Sequence, residues 1–150
     1  MKRTRRLVLS TLALPLALIS SVPLLAQEER PGGRPLSTLL TGAQEVPGPG
    51  DADGSGTVDL TLNAGQGQVC WNLTVAGIDT ATAAHIHRGE NGEAGPVVVT
   101  LSAPADGSSD GCADADRDLI KEILQNPEQF YVNVHNAEFP SGAIRGQLGR

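Results

Sequence analysis

A chain of 150 residues with 39% hydrophobic but only 3% aromatic residues has room for one domain, built on an aliphatic core. Its formal charge is −6, yet four of its 11 basic residues stand in the first six positions. Without them, 7 basic residues face 17 acidic ones, a net charge of −10. So acidic a chain repels phosphate backbones and anionic membrane surfaces. That argues against nucleic acid as a partner and leaves a metal cation or an extracellular protein; the same charge also serves plain solubility.

The opening stretch explains the basic cluster. MKRTRR is followed by LVLSTLALPLALISSVPLL and then Ala26. A basic head, an apolar run and a small residue form the layout of a secretory signal peptide over residues 1–26, and place the mature protein in the periplasm or outside the cell. Pro15 and Pro23 interrupt the run, which argues against a retained membrane span of about 20 apolar residues. Membrane contact is expected only through an uncleaved leader. Residues 27–35, QEERPGGRP, read as a flexible lead-in. The remaining 36–149 form the domain.

Leu39 and Leu40 begin a first strand that Pro47 and Pro49 close off. DADGSGTVD, with Asp51, Asp53, Ser55 and Asp59, has the opening of a calcium loop. The twelfth position holds Leu62 in place of the bidentate Glu, so the segment reads as a turn before a strand. Next, Val58, Leu60 and Leu62 alternate with Thr57, Asp59 and Thr61. After NAGQGQ, Val69, Trp71, Leu73 and Val75 alternate with Cys70, Asn72 and Thr74. Strict alternation on both sides of a Gly-rich turn predicts an antiparallel hairpin, with Trp71 facing the core and Cys70 facing away. Cys70 and Cys112 are the two cysteines, and in an exported chain the expectation is a disulfide rather than two thiolate metal ligands. Asn72-Leu73-Thr74 is a glycosylation sequon only in a eukaryotic secretory route.

A further strand, the loop RGENGEAGP and a strand over Val97–Leu101 come next, and SAPADGSSDG reads as a loop. In ADADRDLIKEILQNPEQ, Leu119, Ile120, Ile123 and Leu124 share one helical stripe. An Asp caps the start and Asn126-Pro127 stops it, giving one short helix near 115–125. FYVNVH and AIRGQL supply the last strands. About seven short strands and one helix predict a mostly β domain: an antiparallel Greek-key-like β-sandwich or flattened barrel.

The chemistry concentrates in the three histidines. In AHIHRG, His85 and His87 flank Ile86, so in a strand both project to one side, with Cα atoms about 6–7 Å apart. In FYVNVHN, Tyr131, Asn133 and His135 share the face opposite Val132 and Val134. Three imidazoles converging on one ion suit copper or zinc, with copper favoured by the Irving–Williams order and one position left open. The alternative is that they hydrogen-bond to backbone and carboxylates, locking the Gly-rich loop. Glu90 and Glu93 in that loop are candidate acceptors for an imidazole N–H. Asn133 and Arg145 are candidate ligand contacts on the same face, Arg145 toward an anion or, more commonly for such a residue, toward a nearby acid.

GAQEVP, AHIHRGENGEAGPVVV and FYVNVHNAEFPSGAIRGQL, in this order, resemble the CHRD (chordin-type) domain over about residues 36–149. The resemblance implies a β-rich extracellular or periplasmic module of the kind repeated in chordin, a secreted growth-factor antagonist. It also occurs in single-domain bacterial proteins. Ala143 stands where many members carry Glu. The order of pieces is also, more weakly, similar to copper-zinc superoxide dismutases. That likeness implies copper-ligand roles for His85, His87 and His135 and an anion-guiding role for Arg145, with no fourth histidine to bridge to zinc. The expected function is an exported binding module with a candidate three-histidine metal (copper) site. The alternatives are a superoxide-dismutase-like copper enzyme on the same residues, or a purely structural or adhesive domain.

Overall fold

The computed structural model describes residues 32–149, so the leader expected over 1–26 and residues 27–31 of the expected lead-in lie outside the described residues. Eight strands and one helix follow in order: β1 (Arg34–Thr41), β2 (Ser55–Asn63), β3 (Gln68–Ala76), β4 (Ala81–Arg88), β5 (Val97–Leu101), β6 (Ser108–Asp114), α1 (Arg117–Gln125), β7 (Phe130–Asn136) and β8 (Ile144–Gln147). Short 3-10 turns occupy Gly42–Gln44 and Pro127–Gln129. All strands join one antiparallel sheet in the order β5-β4-β7-β8-β1-β2-β3-β6. Its two edges come together where the Ser109 hydroxyl, in β6, donates to the Ser102 carbonyl just after β5, at 2.7 Å. Of the two architectures expected, the chain therefore builds a nearly closed barrel, which leaves little exposed edge.

The alternation in sequence becomes the inside and outside of this barrel. Val58, Leu60 and Leu62 of β2 meet Val69, Trp71 and Leu73 of β3, with Leu60 opposite Trp71, and all are buried. Ala84 and Ile86, Val99 and Leu101, Val132 and Val134, and Ile144 complete the lining. Helix α1 adds the fully buried Ile120 and Ile123. As expected, an aspartate caps it: the Asp116 carboxylate accepts from the backbone N–H groups of Asp118 (2.8 Å) and Leu119 (3.1 Å). Among the described residues no helix is long and apolar enough to cross a membrane.

Two stretches differ from expectation. SAPADGSSDG reads as a loop, yet its last four residues begin β6, paired to β3 with Gly111 opposite Trp71. A Cβ at Gly111 would lie 2.9 Å from the Trp71 ring. The glycine that makes this segment look like a loop is there to seat the indole. The first strand begins at Arg34, which pairs with Leu62. Cys70 and Cys112 form the expected disulfide, on the face opposite Trp71. It bridges directly paired residues of β3 and β6, with Cα atoms 4.0 Å apart. The DADGSGTVD segment is a turn: Asp51 Oδ1 accepts from Asp53 N–H, and Asp59 lies in β2, where the Ser37 hydroxyl donates to it at 2.5 Å.

Candidate metal centre

Ile86 and Ala84 point into the barrel, so His85 and His87 point out of it. Strand register then gathers the other polar groups around them. His85 stands opposite Asn133, which stands opposite Arg145; His87 stands opposite Tyr131, which stands opposite Gln147; and Ala83 stands opposite His135. This outer patch of β4, β7 and β8 is covered rather than open. His87, Tyr131, Asn133 and Arg145 are all buried, and His85 and His135 are half-buried.

The cover is the Gly-rich loop 89–96, held by its backbone. The Arg145 guanidinium donates to the carbonyls of Glu93 (Nη1, 2.7 Å) and Glu90 (Nη2, 2.8 Å), and to Gln147 Oε1 at 2.9 Å. The Gln147 amide donates to the carbonyls of Gly89, Glu128 and Phe130 at 2.8–2.9 Å. The Gly95 N–H donates to the Tyr131 hydroxyl at 3.2 Å. Gly95 leaves no room for a side chain, because a Cβ there would collide with the Arg88 carbonyl. The loop thus returns tightly over the sheet and brings the Gly95 carbonyl to His87.

Three rings meet beneath it. Centroids of His85 and His135 are 5.1 Å apart, those of His85 and His87 5.4 Å, and those of His87 and His135 6.3 Å. His87 Nδ1 donates to the Gly95 carbonyl at 2.8 Å, and His135 Nδ1 donates to the Pro140 carbonyl at 3.1 Å. A carbonyl only accepts, so both Nδ1 atoms carry protons, and both Nε2 atoms present lone pairs. His85 Nδ1 lies 3.2 Å from His135 Nε2. His87 Nε2 is buried with no hydrogen-bond partner. One nitrogen from each ring falls in a group whose members lie within 4.8 Å of one another. An ion bonded at about 2.1 Å holds two donors at most about 4.2 Å apart, so modest ring rotation closes the group around it. Burial, then the neighbouring histidines, holds His85 below its ordinary pKa. Burial also lowers His135, against the Pro140 hydrogen bond that raises it. Both therefore favour the neutral form that binds metal.

The remaining site residues take roles that side-chain chemistry did not forecast. Glu90 and Glu93 offer Arg145 their carbonyls, while their side chains are exposed; a backbone carbonyl, at Gly95, orients the imidazole. Arg145 is fully buried, and its hydrogen bonds go to neutral oxygens. It lies 3.5 Å over the Tyr131 ring, which stacks on His87 at 4.8 Å and 8°. Expected to meet an anion or, more commonly, a nearby acid, the guanidinium instead holds the loop through these neutral oxygens and is buried beneath it. Asn133 is buried beside His85 with Oδ1 unpartnered. Glu45 was not expected here. It is buried against Gly142, whose φ of +145° and missing Cβ make space for the carboxylate. Burial raises its pKa to about 7, opposed by the Val46 backbone N–H and by the Arg145 charge. The signal in sequence was an acid isolated among Gly and Pro in GAQEVPGPG.

Fold and site together define a small, disulfide-clipped antiparallel β-barrel with a histidine cluster under a clamped glycine loop. The CHRD domain family model matches residues 36–148, and the chain belongs to that family. No curated protein and no solved structure matches the chain.

Proposed function

We propose that the protein is an exported CHRD-type binding module that holds a copper ion on His85, His87 and His135. The observation that carries this reading is the pair of backbone carbonyls, of Gly95 and Pro140, that fix the tautomers of two imidazoles and leave a lone pair on each Nε2, that of His135 lying 3.2 Å from His85 Nδ1. Ligand histidines in metal sites are oriented in this way by an acceptor on the far nitrogen. The buried, unpartnered His87 Nε2 supports it, since such an atom costs about 1–3 kcal/mol unless something occupies it. Imidazole donors suit copper above zinc where both are present. The occlusion of Arg145 favours binding over superoxide turnover, because that chemistry needs a cation open to the incoming anion. The leader and the disulfide support an extracellular or periplasmic location.

The test is titration of the oxidised protein with copper(II), with copper(I) under ascorbate without oxygen, and with zinc, alongside His135→Ala. Micromolar or tighter copper binding that is lost in the variant supports the joint site. Absent binding, or binding the variant keeps, refutes it. The histidines would then be structural, and the partner would be sought among extracellular proteins.

A further inference from the structure

The surroundings of the three imidazoles bear on the charge of the ion they take. We propose that the site selects cuprous copper, holding Cu(I) more tightly than Cu(II) or Zn(II). This deepens the three-histidine reading and rests on it.

Three observations converge. The donors are all neutral. Among the described residues the cluster contains no carboxylate, and both cysteines are tied in the disulfide, so no thiolate is present. Nothing anionic in the donor set balances a second positive charge. Secondly, a fixed cation sits behind the site. The Arg145 guanidinium packs on one ring with His87, through Tyr131, which places its charge at most about 8 Å from the His87 ring. Its hydrogen-bond partners are two carbonyls and an amide oxygen, none of them charged. The carboxyl that offsets it most is that of Glu45, whose pKa of about 7 keeps it mostly protonated below neutral pH. Glu90 and Glu93 are exposed, where solvent screens them. Thirdly, the group offers three donor atoms, one from each ring, within 4.8 Å of one another, one short of the four a tetragonal plane takes. Donors converging from three corners suit a closed-shell ion with no geometric demand, whereas copper(II) favours a tetragonal plane. Zinc(II) also lacks a geometric demand but carries the second charge.

The size of the electrostatic part follows from the distance. For an ion about 8 to 10 Å from the guanidinium, at an effective dielectric of about 20, one extra charge changes its binding constant roughly 15- to 30-fold.

The experiment measures both copper affinities on the oxidised protein at pH 6.5. Cu(I) is competed against a chromogenic cuprous chelator under ascorbate without oxygen, and Cu(II) against glycine in air. The expected result is a Cu(I) dissociation constant at least tenfold below that for Cu(II). This corresponds to a reduction potential at least about 59 mV above that of the unbound couple. Arg145→Gln, which keeps one amide donor for the loop, should lose tenfold or more of the preference. Cu(II) bound as tightly as Cu(I), or more tightly, overturns the inference and leaves the three-histidine site standing. Neither state bound overturns both. An unchanged ratio in Arg145→Gln overturns the role of the guanidinium charge. Should that variant fail to fold, the wild-type ratio decides.

Discussion

Replacing Glu45 with Gln should change how stability depends on pH, and the structure sets the size of the change. The carboxyl is 5% exposed and lies against Gly142, with one oxygen unpartnered. Burial raises it from 4.5 to about 7. Between those values the unfolded chain has released its proton while the folded chain keeps it. The folded state then binds more protons, so stability falls as pH rises through this window and levels off above about 7. A raise of this extent corresponds to about 3 kcal/mol. Gln has nearly the same shape and never ionises, so the variant lacks this loss. His85 and His135, held below their ordinary values, titrate in the same region with the opposite slope: their contribution rises with pH. Comparing the two proteins cancels it. Urea unfolding at intervals from pH 4.5 to 8 should therefore show Glu45→Gln near wild type at the acid end and about 3 kcal/mol more stable above pH 7.5. A difference that stays flat across the range refutes the reasoning, because it would mean that Glu45 ionises alike in both states.

Other perturbations probe the clamp and the staple. Gly95→Ala forces a Cβ into the Arg88 carbonyl and displaces the Gly95 carbonyl from His87; copper affinity should fall at least tenfold in the same titration that tests the site. Tyr131→Phe removes the acceptor of the Gly95 N–H and should cost about 1 kcal/mol of unfolding free energy, read from the denaturant midpoint. Gly142→Ala puts a Cβ at φ +145° into the Glu45 carboxylate, and thermal unfolding should show a loss that Glu45→Ala in the same chain partly restores. Replacing Cys70 and Cys112 by Ser opens a closure between residues 42 apart and should lower stability by about 4 kcal/mol in the chain-entropy model.

Period-2 alternation made the β2–β3 hairpin readable, because each of those strands buries one face and exposes the other. The helix was readable from its stripe, its aspartate cap and its Asn-Pro stop. Strand β6 was not. SSDGCAD buries no large side chain, and its glycine answers to a tryptophan on the neighbouring strand, a fact that no local window contains. At the site, alternation alone placed His85, His87 and His135 opposite the aliphatic residues of their strands. It gave no means of knowing that this outer face would be roofed over. For that reason Arg145 looked available to a ligand, and Glu90 and Glu93 looked like acceptors through their side chains.

The sequence by itself determined the β character, the disulfide, the family and the shared face of the three histidines, since each depends on residues close in the chain or on short motifs. The tertiary structure decided that the sheet closes into a barrel. It also decided that β4 and β7 lie side by side and bring His135 to His85, and that the 89–96 loop folds back to hold His87. It also brought Glu45 to the rim of the same patch from 90 positions before His135. Those outcomes depend on strand order and on backbone carbonyls. Every residue carries a carbonyl, so only the path of the chain determines which of them faces an imidazole or a guanidinium.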